Sequence, residues 1–277
     1  MAKNGHQRFG QERLSKGKAT PQLSGIQIPS DRNRKDLRVS IGVPSLGYWQ
    51  SYFGHSLALM TCYHSRFTKD EIAVCHVTGS ILPVLRTEIA KNALNQNADY
   101  VLFLDSDMKF PKHLLTQMIK HDLPIVAVNY TTKEIPSVPL AEKMDSEGKW
   151  IRVHSHDGSS GIEEVAQVGM GAMLIKTDVF RIVPEPWFPM NWDGVELGSE
   201  GKGYIGEDIH FCRKVVEAGI PIFIDHDISK LTCHVGNFNY TTQLAYESWR
   251  LQATQPLKQQ SETGSPEPTS PVITTTS

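Results

Sequence analysis

Tyr100-Val101-Leu102-Phe103-Leu104-Asp105-Ser106-Asp107-Met108 is the stretch on which the fold turns. Five consecutive apolar or aromatic residues, too few for an ordinary helix and without polar alternation, read as a strand buried on both faces. Such strands belong to parallel sheets covered by helices. The two aspartates then stand at the strand's carboxyl end, where sheets of this kind open a crevice for ligands. Carboxylates one residue apart repel each other unless positive charge lies between them. Hard oxygen ligands suit Mg²⁺ or Mn²⁺, which keep open positions for phosphate oxygens. A blander reading fits the tripeptide equally well: Asp is a common turn former, and Asp107 would cap a helix starting near Pro111.

Working outward, Leu37–Val43 reads as a strand that ends at the turn-forming cluster Pro44-Ser45-Leu46-Gly47. Ser51–Ser65 suits a helix and Glu71–Val77 a strand, and Pro83 opens a helix to about Asn97, since proline is tolerated in a first turn. Beyond the aspartates come a short helix, Pro111–His121, and a strand, Pro124–Asn129. This βαβαβαβ order predicts an α/β domain with a Rossmann-type, mainly parallel sheet and helices on both faces. The second half is less regular. Strands are expected at Trp150–His154, Val165–Val168 and Ala172–Ile175, then a short helix from Thr177 and a long irregular connection, Pro184–Gly203. A helix, Glu207–Ala218, stopped by Gly219, and a last strand, Pro221–Ile224, complete it.

The chain has 277 residues, 39% of them hydrophobic and 21% charged, with a formal net charge of −2. That is ordinary for a globular protein and gives no global reason to expect nucleic acid as the main partner. The charge is uneven: residues 1–38 carry nine Lys or Arg against three Asp or Glu. Such an arm could touch nucleic acid or another anionic surface, although a solvated leader is the plainer reading. Residues 1–37 are therefore expected to be a disordered basic arm, 38–254 a single domain, and 255–277 a disordered Ser/Thr/Pro-rich tail. Cys62, Cys75, Cys212 and Cys233 show no disulfide framework. No apolar run approaches the roughly 20 residues of a membrane span, and the N-terminus lacks the apolar centre of a signal peptide. A cytoplasmic protein without a membrane partner is the expectation.

Three further motifs bear on chemistry. Gly206-Glu207-Asp208 opens a helix, where acidic residues offset the macrodipole or, alternatively, aim a general base into the crevice. His234 follows the last strand and suits Mn²⁺ or Zn²⁺. His154-Ser155-His156-Asp157 is a rival metal cluster, read as a mobile exposed loop because Gly158-Ser159-Ser160-Gly161 follows it. Trp187, Phe188 and Trp192 could form an acceptor platform or pack beneath their own loop. Gly169 and Gly171 would let the backbone approach a ligand or relieve a tight strand entry.

Taken in order, these pieces resemble a GT-A-fold glycosyltransferase of the family-2 type found in bacteria and phages. The matching segments are Val39–Ser45, Ala98–Asp107, Val168–Ile175, Pro186-Trp187-Phe188, Gly206–Cys212 and His234, spread over about residues 38–240. The resemblance implies a nucleoside-diphosphate-sugar donor, with a UDP-sugar favoured, and an Mn²⁺ or Mg²⁺ ion held by Asp105, Asp107 and His234. It implies Asp208 as the base of an inverting reaction with Glu207 beside it, and Gly169, Gly171, Trp187 and Trp192 at the acceptor. Pro44, Ser45, Gly47, Ser106 and Thr78 would border the donor, and Arg86 would face its phosphates. Relatives often read Arg-Asn at Arg86-Thr87 and end the second strand in an acidic residue, where this chain has His76-Val77-Thr78. The acceptor stays open: a glycan, a lipid-linked sugar, a protein or a modified DNA base. Two other classes compete. A haloacid-dehalogenase-type phosphatase also carries Asp-x-Asp after a strand, though normally on its first. A non-catalytic relative of the transferase fold could bind glycans or nucleic acid.

Overall fold

The computed structural model describes residues 36–196, 202–236 and 239–254. The chain begins with β1 (Arg38–Ser45), α1 (Ser51–Phe67), β2 (Glu71–Thr78) and α2 (Leu82–Asn95). Then come β3 (Tyr100–Leu104), β4 (Met108–Lys109), α3 (Leu114–Lys120) and β5 (Ile125–Ala127). Short strands β6 (Glu142–Met144), β7 (Trp150–Arg152) and β8 (Ile162–Val165) precede β9 (Ala172–Lys176) and α4 (Val179–Ile182). The remainder is β10 (Asn191–Glu196), β11 (Lys202–Ile205), α5 (Glu207–Glu217), β12 (Ile222–Asp225), α6 (His226–Ser229), β13 (Cys233–Val235), β14 (Asn239–Thr241) and α7 (Thr242–Thr254).

Seven strands form the main sheet in the order β2-β1-β3-β9-β5-β12-β8. Five run parallel; β9 is antiparallel to β3 and β5, and β8 is antiparallel to β12. The expected mainly parallel α/β sheet is what the chain forms. All five residues of β3 are buried, and they alternate between the two faces as strand geometry requires. Val101 and Phe103 join a core with Ile89 of α2, Phe180 of α4 and Phe211 of α5. Leu102 and Leu104 join the opposite core with Phe53 of α1, Leu114 of α3 and Ile228 of α6. Both faces are thus covered. Among the described residues no helix is long and apolar enough to cross a membrane.

Several boundaries differ from expectation. The strand sought at Val165–Val168 is β8, three residues earlier, where Glu163 and Glu164 on a sheet edge mask the apolar pattern. The irregular stretch Pro184–Gly203 contains β10, which pairs with β11 as a hairpin. The loop at His154–Asp157 is not freely exposed. Ser155 is fully buried and bonded to His226, while the His156 ring stacks 4.2 Å from Tyr246 on α7.

A second small sheet positions the site. In it β13 lies between β14 and β4, and His234 pairs with Met108, the residue after Asp107. The backbone N–H of Val235 donates to the carbonyl of Asp107 at 2.8 Å. Residues 127 positions apart in the chain are thereby fixed side by side.

Candidate functional site

An open cleft of about 310 Å³ lies at the carboxyl ends of β1 and β3. One wall is Pro44, Ser45 and Leu46 and the other Gly79, Ser80, Leu82 and Leu85; Asp105, Ser106 and Asp107 also line it. Ser45 Oγ is held by His76 Nε2 at 2.6 Å and accepts from the N–H of Gly47, which turns the chain with φ 103°. Thr78 is exposed opposite Ser45 in the β1–β2 register and is not among the residues lining the cleft.

The two aspartates do different things. Asp105 is turned to Arg86, whose Nη2 lies 2.9 and 3.2 Å from its two carboxylate oxygens. The same guanidinium donates through Nη1 to Glu207 Oε1 at 2.5 Å. Arg86 is only 2% exposed, so the expected donor-phosphate contact gives way to a buried bridge between two carboxylates. A buried guanidinium requires such partners, since charge left unpaired in the interior is heavily penalised. Burial pushes the carboxyls of Asp105 and Glu207 up, against the pull of Arg86. Neighbouring Asp208, half-buried in the first turn of α5, pushes both the same way.

Asp107 faces the other side. Its Oδ2 accepts from Lys133 Nζ, and its Oδ1 lies 3.4 Å from His234 Nε2. The Nδ1–H of His234 donates to the carbonyl of Thr131 at 2.8 Å, because a carbonyl can only accept. In the neutral ring that leaves Nε2 with its lone pair toward Oδ1, a buried oxygen with no hydrogen-bond partner among the described residues. Two acceptors facing each other need a proton or a cation between them. Burial alone would raise the Asp107 carboxyl, but with that proton on Nε2 the hydrogen bonds and charges of His234 and Lys133 outweigh it and hold it at about 2. Among the described residues no three His, Cys, Asp or Glu side chains gather as a metal cage. The expected trio is therefore split, with Asp107 and His234 together and Asp105 committed to Arg86.

Other expectations are corrected. Asp107 is not a helix cap, since α3 begins at Leu114 with His113 as its N-cap. Glu207 faces inward to Arg86 as a buried partner, with its Oε1 committed to the guanidinium. Trp187 is 3% exposed, its indole N–H donates to the carbonyl of Val183, and its ring packs on Phe180. It is core, not platform, and Phe188 is buried beside it. The side chain of Trp192 lies outside the described residues. Gly169 and Gly171 accommodate a protein side chain: a Cβ at Gly169 would fall 2.5 Å from the Tyr130 hydroxyl oxygen, and one at Gly171 2.7 Å from its ring. Tyr130 is buried, accepts from the N–H of Gly171 and meets the His234 ring edge-on at 5.2 Å. Tyr130, Thr131 and Lys133 belong to no motif read from the sequence; their position just after a buried strand was the only available signal.

No known family matches the chain, and no curated protein matches it. Solved structures do. The chain is similar to glycosyltransferases of known structure. GalNAc-T7 with UDP, GalNAc and Mn²⁺ aligns at 13% identity and a TM-score of 0.44, over 72% of this chain and 43% of that one. TarS of S. aureus aligns at 18% identity and 0.38, over 78% and 64%. A197 from STIV aligns at 16% identity and 0.48, over 72% and 86%. Likeness at this level assigns no activity, which has to be argued from the site.

Proposed function

We propose that the protein is a divalent-cation-dependent glycosyltransferase that moves a sugar from a nucleoside-diphosphate sugar, a UDP-sugar first among them, to an acceptor hydroxyl. The observation carrying this reading is the meeting of Asp107 Oδ1 with His234 Nε2 beside an open cleft. The residues present fit a cation. A buried carboxylate oxygen lacks a partner, and an imidazole has its other nitrogen tied to a carbonyl, as metal-ligating histidines usually do. One oxygen and one nitrogen donor suit Mn²⁺ better than Mg²⁺. When bound, the ion would act as a Lewis acid on the departing diphosphate.

The remaining roles follow from charge and access. Among the described residues in and around the cleft, the carboxylates Asp105, Asp107, Glu207 and Asp208 outnumber the cations Arg86 and Lys133 by two, so a diphosphate would be repelled until a divalent ion binds. Pro44–Leu46 and Gly79–Leu85 would hold the nucleoside between them, with Ser106 near the phosphates. Asp208, not bound to Arg86, would take the acceptor's proton if the reaction inverts configuration. Arg86 and Glu207 act as positioning residues for Asp105 and the start of α5. A phosphatase using Asp105 as covalent nucleophile is disfavoured, because both its oxygens are engaged by Arg86. The acceptor is proposed to be a glycan or a modified DNA base. All four cysteines are free thiols, which supports a reducing, cytoplasmic location.

The test is a thermal-shift panel of UDP, GDP, CDP, ADP and dTDP with and without Mn²⁺. One nucleotide should raise the melting temperature only when Mn²⁺ is present, as expected for a ligand that binds the folded state; at 100 times its Kd this is about 2.7 kcal/mol. Asp107→Ala should abolish that shift while remaining folded. A panel that moves nothing, or a variant that responds like wild type, would reject the proposal.

A further inference from the structure

We propose that Lys133 is the diphosphate-binding cation of the cleft, and that it occupies Asp107 only while no donor is bound. This rests on the glycosyl-transfer reading above and names a residue which that reading does not use.

The argument begins with what a diphosphate would meet. Among the described residues, those lining the cleft include no Lys or Arg, and two of them are aspartates. Two described cations touch those aspartates. Arg86 is 2% exposed and already divided between Asp105 and Glu207. Lys133 remains 35% exposed and makes its bond to Asp107 Oδ2, the oxygen that does not face His234. Lysine heads normally extend into water while their stems cover apolar surface. Here the head turns inward to a carboxylate that is itself 30% exposed.

The backbone beneath it is firmly held. The Tyr130 carbonyl accepts from the N–H of Leu140 and the N–H of Thr132 donates to the Val138 carbonyl, at 2.9 Å each, and Ser137 Oγ donates to the Thr132 carbonyl. Lys133 therefore leaves a fixed turn. Its stem passes Gly236, where an added Cβ would lie 3.3 Å from Lys133 Cδ. A fixed root and a flexible four-carbon stem let the ammonium pivot about one anchor without moving the chain.

The exchange is electrostatic. Asp107 and His234 would hold a divalent cation, and Lys133 would then compete with it for one carboxylate. Once neutralised, Asp107 holds the ammonium less strongly, while the β-phosphate oxygens of a donor offer a new acceptor beside it. Lys133 then supplies a second positive charge where charge builds up on the leaving group. The same contact shields Asp107 from its acidic neighbours.

The experiment compares wild type, Lys133→Gln and Lys133→Arg by calorimetry. Each is titrated first with Mn²⁺ alone, then, saturated with Mn²⁺, with the best-binding diphosphate of UDP, GDP, CDP, ADP and dTDP and with its monophosphate. Lys133→Gln should bind Mn²⁺ alone at least threefold more tightly, because a competitor is gone. It should bind the diphosphate at least tenfold more weakly and the monophosphate within threefold of wild type. Lys133→Arg should restore most of the diphosphate affinity. Equal diphosphate affinity in Lys133→Gln and wild type overturns the inference and leaves the function standing. A variant that loses affinity for Mn²⁺, monophosphate and diphosphate alike shows a merely structural lysine and also overturns it. If wild type binds none of the diphosphates, the functional proposal fails and takes the inference with it.

Discussion

Replacing Arg86 by Met removes a buried cation from between the buried Glu207 and the part-buried Asp105 and keeps most of the side-chain volume. In the intact protein its guanidinium bonds Glu207 at 2.5 Å and Asp105 at 2.9 and 3.2 Å. Deleting one member of a buried pair typically destabilises by about 3–5 kcal/mol, and here two partners are orphaned, so the upper end applies at pH 8. The dependence on pH has a definite sign. Burial already raises the carboxyls of Asp105 and Glu207, so the folded protein takes up these protons more readily than the unfolded chain. Their contribution to stability is greatest in acid and falls as pH rises through their raised values. Without Arg86 both titrate higher still. The penalty is therefore largest when both are ionised and shrinks as pH falls, each unit of extra shift being worth about 1.4 kcal/mol. Urea unfolding of both proteins at pH 8, 6.5 and 5 measures this. The difference should narrow by roughly 1–3 kcal/mol between pH 8 and 5, a shift of one to two units. Arg86→Met combined with Glu207→Gln should recover part of the loss at pH 8. A penalty below about 1 kcal/mol at pH 8, or one that does not vary with pH, would refute the buried bridge.

Two further substitutions discriminate between roles. Gly171→Ala puts a methyl group 2.7 Å from the Tyr130 ring and should lower stability by about 1–3 kcal/mol in denaturant titration; unchanged stability with weakened acceptor binding would return Gly171 to the ligand. Asp208→Asn should abolish transfer while leaving the Mn²⁺-dependent nucleotide shift in place, and full turnover in that variant would remove Asp208 as base.

The parts of the fold legible in the sequence are those governed by local pattern. Tyr100–Leu104 is apolar throughout because β3 is buried on both faces, and Asp105 and Asp107 follow it to the rim. His234 was likewise recognisable, and β13 brings it beside Asp107. What escaped reading was partnership. Arg86 looks like a phosphate ligand until Glu207, 121 residues away, is seen to bond it. Trp187 carries no local mark that distinguishes a platform from a core ring; it packs on Phe180, which arrives from α4. The glycines at 169 and 171 signal a close approach correctly, but the approaching group is Tyr130, about 40 residues earlier. Lys133 had no signal beyond its place just after a buried strand, because its contact with Asp107 depends on a turn built from longer-range contacts.

The reversed direction of β9 has a consequence for how the molecule can vary. A parallel strand in its place would leave the sheet at the cleft; β9 instead enters there, so Gly171 reaches Asp105 through its carbonyl, 2.9 Å from the aspartate's N–H, before the strand has begun. The segment ahead of β9 is thus a fixed-length tether. One residue gained or lost between Val168 and Ala172 would swap every β9 side chain between the two cores and unseat Tyr130 together with Asp105. Length changes are better tolerated in the exposed turn around Glu147 and Gly148 between β6 and β7, away from the cleft, and that is where an inserted tag or loop belongs.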